Sequence, residues 1–380
     1  MKIWEEIIMK KPYLTTEWID EQTGAVGYLV IQDVLNGFSA GGIRMRKGLS
    51  KGEVSRLAEI MSIKMAGLGM TVGGAKGGID FPSDHPDSKG VLERYLLAHL
   101  PFIKENWLTS EDLGTREEDI VEILQKYGLA TSVQAFIDKS EDKTKILDEL
   151  KKAMTVTYDG IALTDLVTGY GVATVTMKGL EFIGRAINES SVCVQGFGSV
   201  GASAAKFLYE NDVKVVAVSD FKGVVYCKEG LDIPLLLTLK DSKGLINRES
   251  LPNEYEQLEG ENWLCLDVDV LIPSAIADVI NENNINQIQA SLIVEGANMP
   301  VTYNAERTLL EKGIPVIPDF IANSGGAGLF VSILHADVKG NPEAIFQFLN
   351  EQLTKTTVEV LRISKNENIR VREAARRLVN

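Results

Sequence analysis

Two lysines, an aspartate and one run of glycines are the residues of this chain best suited to chemistry. Lys64 sits on the shoulder of an apolar helical stripe, angularly close to Leu57 and Leu68, and Lys76 stands inside GGAKGG. Both are poor places for a simple surface charge. A lysine desolvated near another cation has its pKa lowered and becomes a usable base near neutral pH. Glycines beside Lys76 would let a ligand approach the backbone and leave the ammonium unshielded. Asp112, in TSEDLGT, adds a carboxylate at a turn.

The second constellation is Gly196-Phe197-Gly198-Ser199-Val200-Gly201, which follows the apolar VCVQ and opens a helix. In that context Gly196 permits a tight turn and Gly198 lets the backbone approach a pyrophosphate. Gly201 lets helix and strand pack closely, and the helix N-terminus offers free N–H donors. The next strand, VKVVAVS, ends in Asp220. A carboxylate there can accept both adenosine ribose hydroxyls and repels a 2′-phosphate. NAD is therefore preferred, and NADP is not excluded because Lys222 lies close enough to blur the preference. Two lysines, a carboxylate and a nicotinamide site suggest hydride transfer on a substrate carrying its own carboxylate. The lysines and aspartate read equally well as a snorkelling Lys64, a loop Lys76 and a helix-capping Asp112.

The elements that must hold these residues are partly legible. Lys51 to Leu68 reads as a helix, with Val54, Leu57, Ala58, Met61, Met65 and Leu68 at helical spacing. Gly27 to Val34 reads as a strand, and Gly69 to Gly78 cannot be a regular helix. MKIWEEIIMKK reads as a short N-terminal helix. Asp138 to Lys152 is the most polar stretch, its later part an exposed helix near a domain boundary. A helix follows from about Thr164 to Ile183. From Ser191 short β-rich runs (VCVQ, VKVVAVSD, VDVLIP, SLIVEGA, IPVIPD) alternate with helices such as Ser199 to Asn211, which implies a parallel sheet. From Asn341 on, the chain is helical and charged.

Composition bounds the rest. A length of 380 residues suits two α/β domains, and the net charge of −14 argues against a nucleic-acid or anionic-membrane partner. Cys193, Cys227 and Cys265 lie far apart, and His85, His99 and His335 cannot supply a His-rich cluster, so neither a disulfide framework nor a thiolate zinc site is expected; carboxylate metal sites stay open, and no metal ligand is assigned. No signal-like apolar segment and no transmembrane-length apolar run occurs, which makes the cytoplasm the default location.

Several ordered motifs resemble the glutamate/leucine/phenylalanine/valine dehydrogenase family, oxidative deaminases of L-amino acids. They are AGGIRM (Ala40 to Met45), IKMAGLGMTVGGAKGGID (Ile63 to Asp80), EDLGT (Glu111 to Thr115) and TGYGV (Thr168 to Val172). QGFGSVG, VSDFKG, IPSAI, EGANMPVT (Glu295 to Thr302) and PDFIANSGG (Pro318 to Gly326) continue the series. The step from Lys64 to Lys76 equals the family's spacing between its two site lysines. The resemblance implies that Lys64 binds the substrate α-carboxylate with Gly41 and Gly42 nearby. It makes Lys76 the catalytic lysine that activates water and Asp112 the acid/base carboxylate. Thr168, Asn298 and Asn323 fall around the nicotinamide. The implied fold is a substrate domain (residues 1–160, completed by about 341–380) and a Rossmann-type NAD domain (161–340) around a cleft that closes on ligand. A closed homo-oligomer is also implied.

The departures concern the substrate. Glutamate-specific members carry a lysine before GGxR and a serine four residues beyond NAGG, both meeting the side-chain carboxylate. Ala40 and Phe330 stand at those positions, and Ala327 lies nearby. An unpartnered carboxylate there would cost several kcal/mol, which favours a branched-chain or aromatic substrate. EDLGT resembles that branch, whereas EGANMPVT and VSDFKG resemble the glutamate branch. A glutamate dehydrogenase with other anchors and a catalytically silent NAD-binding regulator are the alternatives. The silent form predicts loss of Lys76 or Asp112, and both are present.

Overall fold

The computed structural model describes residues 11–379, so the expected N-terminal helix falls outside it apart from Lys11. The described residues separate into two compact units, 11–147 and 148–378.

In the first unit, β1 (Leu14–Ile19), β2 (Val26–Ile31), β3 (Ser39–Ala40), β4 (Ile43–Met45), β5 (Gly73–Asp80) and β6 (Trp107–Leu108) form a mixed sheet. Its order is β1-β2-β5-β3-β6, and β4 also pairs with β5. The expected helix is α1 (Lys51–Gly67), started by Ser50, whose side chain accepts from the Glu53 N–H. The stretch expected only to be non-helical leads into β5, a strand with neighbours on both edges. Glycine is a poor strand former, yet here its missing side chain is what the packing needs. A Cβ on Gly74 would lie 2.2 Å from the Ser62 nitrogen and 2.4 Å from the Ala58 oxygen of α1; one on Gly78 would lie 2.3 Å from Val54 Cγ2. The helix backbone rests directly on the strand. Ser62 and Asp33 stitch the contact, because the Gly74 N–H donates to Asp33 Oδ1 (2.7 Å) and to Ser62 Oγ (3.1 Å). The other face of β5, with Ala75 and Ile79, packs on Tyr95 of α2 (Ser88–Ala98), on Trp107, and on Ile120 and Ile123 of α4 (Glu117–Lys126). Short helices α3 (Leu100–Glu105) and α5 (Gln134–Lys139) complete the unit.

The unit boundary falls inside α6 (Lys143–Thr155). A small hairpin, β7 (Thr157–Tyr158) and β8 (Ile161–Ala162), leads to α7 (Leu163–Phe182). The second unit is then a sheet of β9 (Ser191–Gln195), β10 (Lys214–Asp220), β11 (Gly223–Tyr226), β12 (Glu256–Leu258), β13 (Val270–Pro273), β14 (Leu292–Val294) and β15 (Val316–Ile317). Its order is β12-β11-β10-β9-β13-β14-β15. The expected parallel strands are present, and an unforeseen antiparallel pair, β11 and β12, extends the β10 edge. α8 (Ser199–Glu210) joins β9 to β10. The order reverses at β9, with β10 on one side and β13 on the other, the point where doubly wound sheets leave a crevice for ligands.

Four helices close the chain after α9 (Ile233–Leu239) and α10 (Tyr303–Glu311): α11 (Asp319–Ala322), α12 (Gly325–Ala336), α13 (Pro342–Glu367) and α14 (Val371–Ala375). The residues from about 341 on, expected to complete the first domain, group with the second unit instead. Aromatic packing is the physical reason. Phe346 of α13 stacks on Tyr170 of α7 at 4.4 Å, and Phe207 of α8 meets both rings edge-on at 5.3 and 4.9 Å.

α14 also supplies a half-buried cation. Arg372 donates through Nη2 to Glu295 (2.5 Å), through Nη1 to Asp319 (3.1 Å) and through Nε to Glu306 (3.3 Å). Glu295 is fully buried, and that burial pushes its carboxyl up to about 8 despite the pull of Arg372. Glu295 accepts from the Asp319 N–H, and Asp319 accepts from the Met299 N–H. One guanidinium therefore ties the end of β14 to the start of α11.

Two stability changes follow from these contacts. Gly74→Ala forces α1 off β5 and is expected to lower unfolding stability in urea by ~1–3 kcal/mol; an unchanged midpoint would contradict the packing described. Arg372→Met leaves buried carboxylates uncompensated, and a loss of ~3–5 kcal/mol is expected by the same measurement. A neutral result there would show that the cation holds nothing in place.

Candidate functional site

β4 and β5 run parallel, with Arg44 level with Gly78 and Ile43 with Gly77. Side chains alternate along a strand, so Arg44 and Lys76 share the sheet face covered by α1. Gly74 and Gly78 on either side of Lys76 are filled by that helix, so they serve helix packing and not the ligand approach expected of them. Between them Lys76 is left buried, its side chain 7% exposed, with its Nζ 2.9 Å from Asp112 Oδ2. Arg44 Nε donates to the same oxygen at 2.8 Å, and Arg44 also pairs with Glu53 of α1 at 3.4 Å.

Asp112 is held by its own turn. Its N–H donates to Thr115 Oγ1 (3.0 Å), and the Thr115 hydroxyl reaches the Ile43 carbonyl (2.7 Å). Gly114, at φ +82°, passes so close to the Met45 carbonyl that a Cβ would lie 1.9 Å from it. The EDLGT segment is thus moulded onto β4, and no helix is capped by Asp112.

Charge and burial act in opposite directions here. Burial lowers the Lys76 pKa, the Asp112 charge pulls it back, and the Arg44 cation lowers it again; the net shift is downward. Burial alone would raise the Asp112 carboxyl, but Lys76 and Arg44 outweigh it and hold the group below the usual carboxylate range. The result is an ionised carboxylate touching a lysine whose proton is loosened. Arg44 was not singled out from sequence as a functional side chain. The signal was available, since an arginine between Ile43 and Met45 is as costly a placement as the two lysines.

Lys64 occupies the last turn of α1 and is half-buried. Ala40 ends β3, half-buried, in register with Gly74. Gly41 and Gly42 are dictated by packing: their Cβ atoms would lie 1.7 Å from the Ala75 carbonyl and 2.3 Å from that of Glu111. Among the histidines, His99 is held by Thr16 and the Tyr95 carbonyl at 2.8 and 2.9 Å.

In the second unit Gly196 has φ +90°, and a Cβ on Gly201 would lie 1.9 Å from the Gly196 carbonyl. Nothing lies within 4 Å of the Gly198 Cβ position, and no side chain caps α8. The turn that leads through Phe197, Ser199 and Val200 thus presents backbone N–H groups at a helix start, which fits a pyrophosphate. Asn323 donates to Asn298 Oδ1 (2.9 Å), bringing two of the expected nicotinamide residues together. Thr168 on α7 lies against Gly326, whose Cβ would be 3.3 Å from Thr168 Oγ1. Ala327 and Phe330 stand one turn apart on α12.

Asp220 differs from expectation. Its side chain is 2% exposed and both oxygens are taken, by Arg248 in a bidentate pair and by the Lys222 and Ile246 N–H groups. It is not the open ribose acceptor expected, because an arginine distant in sequence has closed on it.

The described residues include no helix long and apolar enough to cross a membrane. Comparison with known proteins agrees with the two-unit architecture. Residues 14–128 match the Glu/Leu/Phe/Val dehydrogenase dimerisation domain, and residues 160–379 match Glutamate/Leucine/Phenylalanine/Valine dehydrogenase. An NADP-specific glutamate dehydrogenase of Synechocystis sp. is 31% identical over 92% of this chain and 82% of its own length. Glutamate dehydrogenase B of Halobacterium salinarum is 33% identical, over 79% and 67%. Among solved structures, hetero-hexameric glutamate dehydrogenase from Thermus thermophilus (Leu bound form) superposes with TM-score 0.70 at 25% identity, covering 97% of this chain and 87% of that one. L-tryptophan dehydrogenase from Nostoc punctiforme shares the fold at TM-score 0.67 and 20% identity, covering 97% and 94%. The chain belongs to the glutamate/leucine/phenylalanine/valine dehydrogenase family, amino-acid oxidoreductases acting on CH–NH2.

Proposed function

We propose that the protein catalyses reversible, nicotinamide-dinucleotide-dependent oxidative deamination of an L-amino acid with an apolar side chain, yielding the 2-oxo acid and ammonia. The observation that carries this reading is the buried Lys76 with its lowered pKa, in contact with an ionised Asp112. Dinucleotide binding is assigned to Gly196 to Gly201 with Thr168, Asn298 and Asn323. The nicotinamide, when bound, supplies the hydride acceptor. Lys64 holds the substrate α-carboxylate. Asp112 takes a proton from the substrate ammonium, which frees the nitrogen lone pair for loss of hydride from Cα. Neutral Lys76 then takes a proton from water as the oxygen bonds to the imine carbon; Asp112 returns its proton to the amino nitrogen, the C–N bond breaks as the carbonyl forms, and the hydroxyl proton passes to the released ammonia, which leaves as ammonium. Arg44 keeps Asp112 ionised and lowers the Lys76 pKa.

The apolar preference rests on Ala40 and Phe330, which leave a substrate side-chain carboxylate without the lysine and serine of glutamate-specific members. A second reading, glutamate dehydrogenase with other anchors, is favoured by the names of the relatives. A homo-oligomer is part of the proposal.

NADH and NADPH consumption with ammonia and a panel of 2-oxo acids separates the two readings. Faster turnover of 4-methyl-2-oxopentanoate or phenylpyruvate than of 2-oxoglutarate is expected; the reverse order would select the glutamate reading. Lys76→Ala should cut kcat by about 10²–10⁴ while dinucleotide binding persists, and near-normal turnover would remove Lys76 from the mechanism. Ala40→Lys with Phe330→Ser should raise glutamate turnover relative to leucine, and a constant ratio would show that the pocket is built elsewhere. The pH profile tests the electrostatics. Deamination should rise with pH as Lys76 loses its proton, at an inflection below the ordinary lysine value. Arg44→Gln removes a cation that depresses this value, so the inflection should move to higher pH; a static or downward shift would contradict the arrangement.

A further inference from the structure

β6 is the last strand of the first sheet, so the backbone that runs on from it toward Asp112 has no neighbouring strand on its outer side. On the inner side the Gly41 N–H donates to the Leu108 carbonyl (3.0 Å) and the Ile43 N–H to the Ser110 carbonyl (2.9 Å). On the outer side a sheet edge leaves its N–H groups open. Here they are taken: Thr109 donates to the Ser132 carbonyl (3.3 Å), and Glu111 donates to Glu117 Oε2 (3.0 Å). A side-chain carboxylate thus stands where the next strand would be.

Glu117 opens α4 and is itself fixed. Its Oε1 accepts from the Ser132 hydroxyl (2.5 Å), and its N–H donates back to Glu111 Oε2 (3.0 Å). Glu111 and Glu117 therefore close residues 112–116 into a loop with two mutual hydrogen bonds at its base. Thr115 ties the inside of the same loop, between the Asp112 N–H and the Ile43 carbonyl. Two like charges meet at that base. Burial raises the Glu117 pKa more than the Ser132 and Glu111 donors lower it, and the Glu111 charge adds to the rise. Asp112 leaves the loop base directly after the pinned Glu111, with its carboxylate 2.9 Å from Lys76 and 2.8 Å from Arg44.

We propose that Glu117 is a positioning residue for the deamination: by closing the base of the 112–116 loop it holds Asp112 against Lys76 and Arg44. This rests on the catalytic roles assigned to Lys76 and Asp112. Glu117 acts through the Glu111 peptide and not on the substrate. A carboxylate that moves protons must sit within hydrogen-bond reach of them, and a displacement of about 1 Å costs on the order of a hundredfold in rate. Loosening the loop base lets Asp112 leave Lys76, which removes the charge that helps the lysine keep its proton. The Lys76 pKa then falls further.

Steady-state deamination across pH, run on the full-length protein with the amino acid that wild type turns over fastest, tests this. Glu117→Ala should lower kcat about 10–10²-fold with dinucleotide affinity unchanged. The inflection assigned to Lys76 should move to lower pH, opposite to the shift expected of Arg44→Gln. Glu117→Gln keeps an oxygen for the Glu111 N–H and an amide that donates to the Ser132 hydroxyl, so it should recover most of kcat and the wild-type inflection. Ser132→Ala, which deletes one hydroxyl, should move the inflection the same way by less, and it carries the test if Glu117→Ala does not fold. A Glu117→Ala enzyme with the wild-type inflection would overturn the positioning role, as would a Glu117→Gln enzyme indistinguishable from Glu117→Ala. Asp112→Asn separates this from the catalytic assignment. Near-normal turnover there would remove Asp112 from the mechanism, and the positioning role with it. An inactive Asp112→Asn beside an unaltered Glu117→Ala would overturn the positioning role alone.

Discussion

The first unit depends on one constraint: the backbone of α1 touches β5 directly at Gly74, and Gly78 takes up the Val54 side chain beside it. Gly74 and Gly78 allow that approach, and the lysine between them cannot escape to solvent along the strand. Its ammonium is left one outlet, toward Asp112 and Arg44. Burying a lysine is costly, and here the burial and its compensation come from the same packing. The glycines are therefore chemical residues at one remove. They set the dielectric around Lys76 by bringing a helix close to it. The same logic covers Gly41, Gly42 and Gly114, each pressed against a carbonyl so that β4 and the Asp112 turn come together.

In the second unit the comparable role falls to charge. Asn298 and Asn323 come from segments that begin at Glu295 and Asp319, and the two segments are joined through Arg372 as well as through each other. The arginine is not near the glycine turn in sequence. It acts by holding the backbone from which the asparagines project.

Where function is local in sequence, it was readable. α1 announced itself by its apolar period, and the β9 turn by glycines whose conformations the motif demands. What escaped notice depends on partners distant in the chain. β5 was invisible because its glycines have no strand preference of their own, and only the neighbouring strands and α1 make it one. Arg44 went unnoticed because its importance comes from register with β5, not from a motif. The closure of Arg248 on Asp220 joins residues on separate loops, and no spacing rule anticipates it. The grouping of the C-terminal helices turned on Phe346 finding Tyr170, a match of shapes and not of pattern.

The Arg372 network has a bearing on how the chain is made. Synthesis runs from the N-terminus, so everything that binds Lys76, Asp112 and Arg44 together has left the ribosome once the first unit is complete. Glu295, Glu306 and Asp319 emerge much later, and they emerge before the arginine that offsets their charge. Until α14 follows, these acids repel one another and resist burial, so the two asparagine-bearing segments lack their common anchor. The lysine–aspartate pair can therefore form early in the life of each molecule. The asparagine pair is completed only when Arg372 arrives.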